Sequence, residues 1–491
     1  MKRFVSLLLL ACIALPMSLG AQTREERLQE YKKRRKAAVE QVKEERRQAV
    51  ALYKERANQD YAERMKARWE YYELRKARAL PTSPDPVVPP KVEPGTKPTS
   101  PRQVVPDLPS LPDLPPIAPP VPDPVRPELP ADIPESYCAV DYYGTQLPVG
   151  YDVALTKVSL ASIDEQSVSQ MWATLADGRA NGWLHNSMAI RSEYGLCDWA
   201  YIRFAQKAAE ALYSNPNEAA VLSGFTLIQS GFNVRLARCG NRLCLLMPSP
   251  YPLYSYKYIN IDGLEYYVLL DVVDEGLYVY NSIFPEEHLP SMQISLPRLA
   301  YQPSSAKTFT ANAFPALSVE LNPNFNVIEF YDDCPRNTEW QLFAAASLDP
   351  MITSQLYPVL RRQIEGKSEA AAANMLINFV QTAFEYKTDG EQFGYERPLY
   401  GDETFFYPYS DCEDRSILYA ILVRDLLDLD VALLHFKGHL ATAVRFNENV
   451  VGDYLTIEGV RYLVCDPTYI NASIGMMMPD MGDKLLNVIL L

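Results

Sequence analysis

Residues 81–134 hold 20 prolines in 54 positions, and no chain can thread such a segment through the interior of a helix or a sheet. Proline has no amide donor and a fixed φ, so the segment favours polyproline II and holds the chain on its two sides apart. Fully extended at about 3.1 Å per residue it reaches on the order of 160 Å. Its simplest role is a semi-rigid spacer over residues 80–135.

Before the spacer lie two segments. The start, "MKRFVSLLLLACIALPMSLGAQ", has a basic end, a short apolar run and small residues near Gly20 and Ala21. Residues 1–21 therefore read as a signal peptide for export to the periplasm or cell surface, with cleavage favoured over lipid anchoring at Cys12. Residues 22–79 read as one long charged helix or weak coiled coil, free of proline and glycine. Over residues 23–79 there are 18 basic and 11 acidic side chains, while the whole chain carries −14. Apolar residues such as Leu28, Val42 and Leu52 fit no heptad, so the helix is expected to be solvated. Its functional expectation is docking onto an anionic envelope surface.

From residue 136 the composition turns globular, and 136–330 and 331–491 read as two domains. The runs 214–247 and 410–444 each give an apolar helix, a strand, a turn and a strand. Hairpins at 256–271 and 452–467 come next, each with a glycine turn and a strand ending in aspartate. This order implies a duplication. Opposite Cys412 the first copy has Pro216 or a neighbouring asparagine, and opposite His439 about Arg242; Asp271 matches Asp466.

In "YPYSDCEDRS", Asp411 is an N-cap type, and Glu413 and Asp414 suit a first helical turn. Cys412 then sits where free N–H groups and the helix dipole favour a thiolate, although the flanking acids oppose it. "KGH" places His439 at the start of a strand just beyond a turn. "VRYLVCDP" ends a strand at Asp466, with Pro467 stopping the ladder. An aspartate there can orient an imidazole on a neighbouring strand. His435 reads as packed, and His185 and His288 as ordinary. The pair in "CGNRLC" (Cys239 and Cys244) could close across a hairpin. Zinc-type spacing and phosphate-binding glycine loops are not seen, and the acidic globular part argues against nucleic acid.

These residues resemble the transglutaminase-like superfamily of papain-related folds, over roughly residues 370–470. The resemblance implies an α+β fold with a papain/transglutaminase-like core, a cysteine helix packed on an antiparallel sheet, and here a degenerate first copy. It implies Cys412 as nucleophile, His439 as base and Asp466 as orienter, acting on a peptide or protein substrate. "DCED" is also similar to calcium-dependent periplasmic cysteine proteases of that superfamily, which implies Asp411 and Glu413 as calcium ligands. No cofactor is required by the triad itself. "GHLATAV" departs from the family pattern by carrying leucine after the histidine. Hydrolysis of amides is expected over cross-linking. The alternative is a non-catalytic envelope protein whose tyrosine-rich halves form a binding platform.

Overall fold

The computed structural model describes residues 24–82, 89–104, 136–270, 276–479, 481 and 484–491. The signal peptide, Cys12, Asp271 and most of the spacer lie outside the described residues. Among the described residues no helix is long and apolar enough to cross a membrane. The described residues fall into two units, residues 24–57 and residues from 58 onward.

Helix α1 spans Arg24–Met65, shorter than the helix expected to residue 79. Its described side chains before residue 57 are exposed. From Asn58 onward it belongs to the second unit, where Tyr61, Ala62 and Met65 are buried. The helix stops because "ARWEYY" is aromatic and finds a sheet to join. Trp69 is buried and donates its indole N–H to the Met65 carbonyl at 3.1 Å, satisfying one of the orphan carbonyls of the helix end. Strand β1 (Glu70–Tyr72) then pairs with residues 277–279, and Tyr71 meets Tyr278 edge-on. Cross-strand aromatic contact here overrides helix propensity.

The spacer expectation also needs correction. Within it, β2 (Arg102–Gln103) pairs in parallel with residues 453–454. The Val92 N–H donates to the Ile470 carbonyl at 3.1 Å, and the Val104 N–H to the Tyr454 carbonyl at 2.8 Å. Val92 and Val104 pack on the second core. The valines between prolines supply the apolar area and the amide donors that the prolines lack, so Arg102–Gln103 take a sheet edge, where proline is tolerated nearby, and Lys91 bridges to Ile470.

Among the described residues the fold is α+β, with two six-stranded sheets and three two-stranded ones. In the first half come α2 (Pro216–Gln229), β3 (Arg235–Cys239), β4 (Arg242–Ser249), β5 (Tyr258–Ile261), β6 (Leu264–Val268) and β7 (Leu277–Val279). In the second come α3 (Glu369–Thr382), α4 (Cys412–Leu427), β8 (Val431–Phe436), β9 (His439–Val444), β10 (Asp453–Ile457), β11 (Val460–Cys465) and β12 (Leu485–Leu490). The first sheet runs β1-β7-β3-β4-β6-β5, and the second β12-β8-β9-β11-β10-β2. Without the edge strands β1 and β2, the order is the same. The β5–β6 and β10–β11 turns both put a residue and then a glycine at positive φ, Asp262-Gly263 and Glu458-Gly459, as a tight two-residue hairpin requires.

Registers and cores repeat as well. Leu246 faces Val268 as Ala443 faces Val464. The first core uses Ala237, Cys239, Cys244, Leu246, Tyr266 and Val268, where the second uses Leu434, Phe436, Ala441, Ala443, Tyr462 and Val464. Counting two residues on along the last strand puts Leu270, not Asp271, opposite Asp466. Cys239 faces Arg242 and Cys244 faces Ala237, so the two cysteines are diagonal neighbours, about 7–8 Å apart at Cα. Both are buried, and the spacing exceeds what a disulfide spans.

Candidate active site

Cys412 is the first residue of α4 and Asp411 its extended N-cap. The Asp411 N–H donates to Asp414 Oδ2 at 3.2 Å. Residues 412–423 are all buried, so the helix start is anchored on every side. Arg415, also buried, reaches back from Nε to Ser410 Oγ (3.2 Å), from Nη1 to the Gln381 carbonyl (3.3 Å) and from Nη2 to the Phe384 carbonyl (2.9 Å). Burial lowers the pKa of this guanidinium to about 10, against the opposing pull of Tyr386 and Asp411.

His439 opens β9 across a two-residue turn from Phe436, whose ring stacks on the imidazole at 6.1 Å. β9 pairs with β11 so that Thr442 faces Cys465, and the next residue on that strand is Asp466. This register brings Asp466 Oδ2 to 2.9 Å from His439 Nε2. The other carboxylate oxygen accepts the N–H groups of Thr468 (3.0 Å) and Tyr469 (3.2 Å). Burial lowers the His439 pKa, but the Asp466 charge and hydrogen bond and the Cys412 sulfur beside the ring outweigh it, raising the value to about 10. Among the described residues Nδ1 has no nitrogen or oxygen partner, and the Cys412 sulfur is the group that acts on this ring from the helix start. All three residues named from the sequence therefore meet, His439 and Asp466 almost wholly buried and Cys412 9% exposed.

The acids beside Cys412 form a second cluster. One oxygen each of Asp389, Asp411 and Glu413 lies within 4.8 Å of the others, and all three residues are buried. The Asp389 N–H donates to Asp411 Oδ2 at 3.2 Å, and the Arg397 N–H donates to Asp389 Oδ2. Burial first, then Asp411 and Asp414, pushes the Asp389 carboxyl up to about 11. Burial raises Asp411 to about 6, and lifts Glu413 and Asp414 well above the usual carboxylate range. Among the described residues no N–H or hydroxyl donor reaches Asp411 Oδ1, Glu413 Oε1 or Glu396 Oε2, all buried, and a hydrogen bond with Glu413 draws the Asp411 carboxyl partly back down. Closely spaced carboxylates with unpartnered oxygens fit a hard divalent cation, which prefers six to eight oxygen ligands. Asp414 is occupied otherwise, accepting the Leu399 N–H at 2.9 Å as well as that of Asp411.

Asp389 and Glu396 carry no signal in the sequence, since nothing in "KTDGEQFGYERP" marks them before the loop folds back onto α4. His435 packs edge-on against Trp340, and burial lowers its pKa. His288 bonds through its backbone to Gly231 and Asn233. No family model, no curated protein and no solved structure matches this chain.

Proposed function

We propose that the second half is a thiol-dependent acyl-transfer enzyme on a papain/transglutaminase-like core, acting on peptide or glutamine-type amides in the cell envelope. The observation that carries this reading is the convergence of Cys412, His439 and Asp466 from a helix start and two strands. The Cys412 thiolate attacks the amide carbonyl, forming an S–C bond, and the oxyanion is held by the N–H of Cys412, which the helix ladder leaves free. The His439 imidazolium, favoured by Asp466, gives its proton to the departing amine as the C–N bond breaks. Water then attacks the thioester and passes its proton to His439, releasing the acid and restoring Cys412. Hydrolysis is favoured over cross-linking because water is the acceptor always present.

Asp389, Asp411 and Glu413 would hold a calcium ion. The Cys412 thiol donates to Glu413 Oε2 at 3.1 Å, on one of the carboxylates that such an ion would engage. A bound cation would neutralise that carboxylate. The basic α1 is the element suited to an anionic envelope surface.

The experiment is turnover of a peptide and glutamine-amide library by wild type and Cys412→Ala, with calcium and with chelator. Product formed by wild type alone supports the enzyme; equal product from both sinks it. A second reading, a non-catalytic binding protein with a retained triad, is favoured by the burial of Cys412. It expects Cys412 to resist iodoacetamide in the folded protein at every calcium level.

A further inference from the structure

Gln381 stands in the last turn of α3 and is 1% exposed. Its Nε2 lies 3.1, 2.8 and 3.0 Å from the backbone carbonyls of Asp466, Tyr469 and Ala472. Three carbonyl oxygens converging on one point repel each other unless a donor sits between them. The side-chain amide, with two N–H bonds, is that donor, and its orientation is fixed because the reverse would face oxygen with oxygen. Among the described residues Gln381 Oε1 is buried without a partner, the cost of turning both donors toward the three carbonyls.

The same residue also touches the nucleophile's helix, since its own carbonyl accepts from Arg415 Nη1 at 3.3 Å. The loop it grips carries Asp466 at its start. On the loop's far side the Ile470 N–H donates to the Pro90 carbonyl, and Asn471 Nδ2 donates to the Val92 carbonyl at 3.1 Å. The Asp466 backbone is therefore set by α3, not by the strand ladder alone.

We propose that Gln381 is the positioning residue of this site. Its amide fixes the 466–472 loop so that Asp466 Oδ2 stays against His439 Nε2 and the ring keeps its aim toward Cys412. The inference rests on reading Cys412, His439 and Asp466 as one unit, but its test needs no turnover.

The test is the ring titration of His439 by NMR in histidine-labelled full-length protein, with His439→Asn to assign the signal among the four histidines. The titratable groups acting on this ring are Asp466 and Cys412. Gln381→Met keeps the volume and removes both donors, and is expected to lower the His439 pKa by about one unit or more. Asp466→Asn marks the full fall. Leu376→Ala, a buried lesion in the same helix, is expected to lower stability and leave the titration in place. An unchanged titration in Gln381→Met, or an equal shift in Leu376→Ala, overturns the proposal. Should Gln381→Met fail to fold, Gln381→Asn retracts the amide by one methylene and is expected to give a smaller fall; no fall overturns the proposal equally. A shifted His439 without amide turnover removes the acyl-transfer reading and leaves the positioning role. Turnover with an unshifted titration removes the positioning role alone.

Discussion

At the scale of single residues, the pair His439–Asp466 links protonation to the fold, with Asp466 Oδ2 2.9 Å from His439 Nε2. The His439 pKa is raised from 6.5 to about 10, so its charge stabilises the fold fully below about pH 6.5, and that contribution is lost as pH rises through 10. The melting temperature of wild type should therefore fall more between pH 6.5 and 10 than that of Asp466→Asn. Parallel slopes would show that the pair contributes nothing. On the proposed acyl-transfer reading, Asp466→Asn should lower kcat by roughly 10²–10⁴ with the fold intact. Cys412, His439 and Asp466 were legible because each stands at an element boundary that local signals mark: an acid-rich helix start, a glycine turn and a proline after a strand. Asp389 and Gln381 were not legible. Each acts on a partner far along the chain, one on Asp411 and one on the Asp466 loop.

At the scale of elements, the two sheets repeat an order that the helix–strand–hairpin pattern announced, yet the edge strands β1 and β2 came from segments read as helix and spacer. The approach of β2 depends on a close backbone crossing. Gly452 has φ +151°, and a Cβ there would lie 2.4 Å from Gly475 Cα. The Gly452 carbonyl also receives the Arg102 N–H at 3.3 Å. Gly452→Ala should therefore cost more than about 2 kcal/mol in urea unfolding and raise amide exchange at Arg102 and Val104. A cost near zero with unchanged exchange would show that the crossing relaxes freely. In the adjacent core, Leu434→Ala on β8 should cost about 2–5 kcal/mol, as deletion of a fully buried leucine does.

At the scale of the whole molecule, the buried acids are a strain that a cation would relieve. Calcium should raise the melting temperature, by the equivalent of about 2.7 kcal/mol at a hundredfold excess over Kd. Asp389→Asn removes one of the crowded carboxylates. It should raise the melting temperature of the chelated protein and abolish the gain from calcium. A calcium gain that survives the substitution would place the ion elsewhere. Removal of residues 24–57, a unit of its own, should leave the melting transition of the remainder unchanged while weakening sedimentation with anionic vesicles. Undiminished sedimentation would end the docking reading.

The sequence by itself determined what depends on neighbours along the chain: the charged helix, the hairpins and the boundary positions of the three site residues. Tertiary structure alone decided where α1 stops, which parts of the proline-rich segment join a sheet, and which residues complete the site. Those outcomes turn on competition. A tryptophan, a valine pair, a glutamine amide or a distant carboxylate takes its place because a surface far along the chain offers it a better partner than its own neighbours or water can.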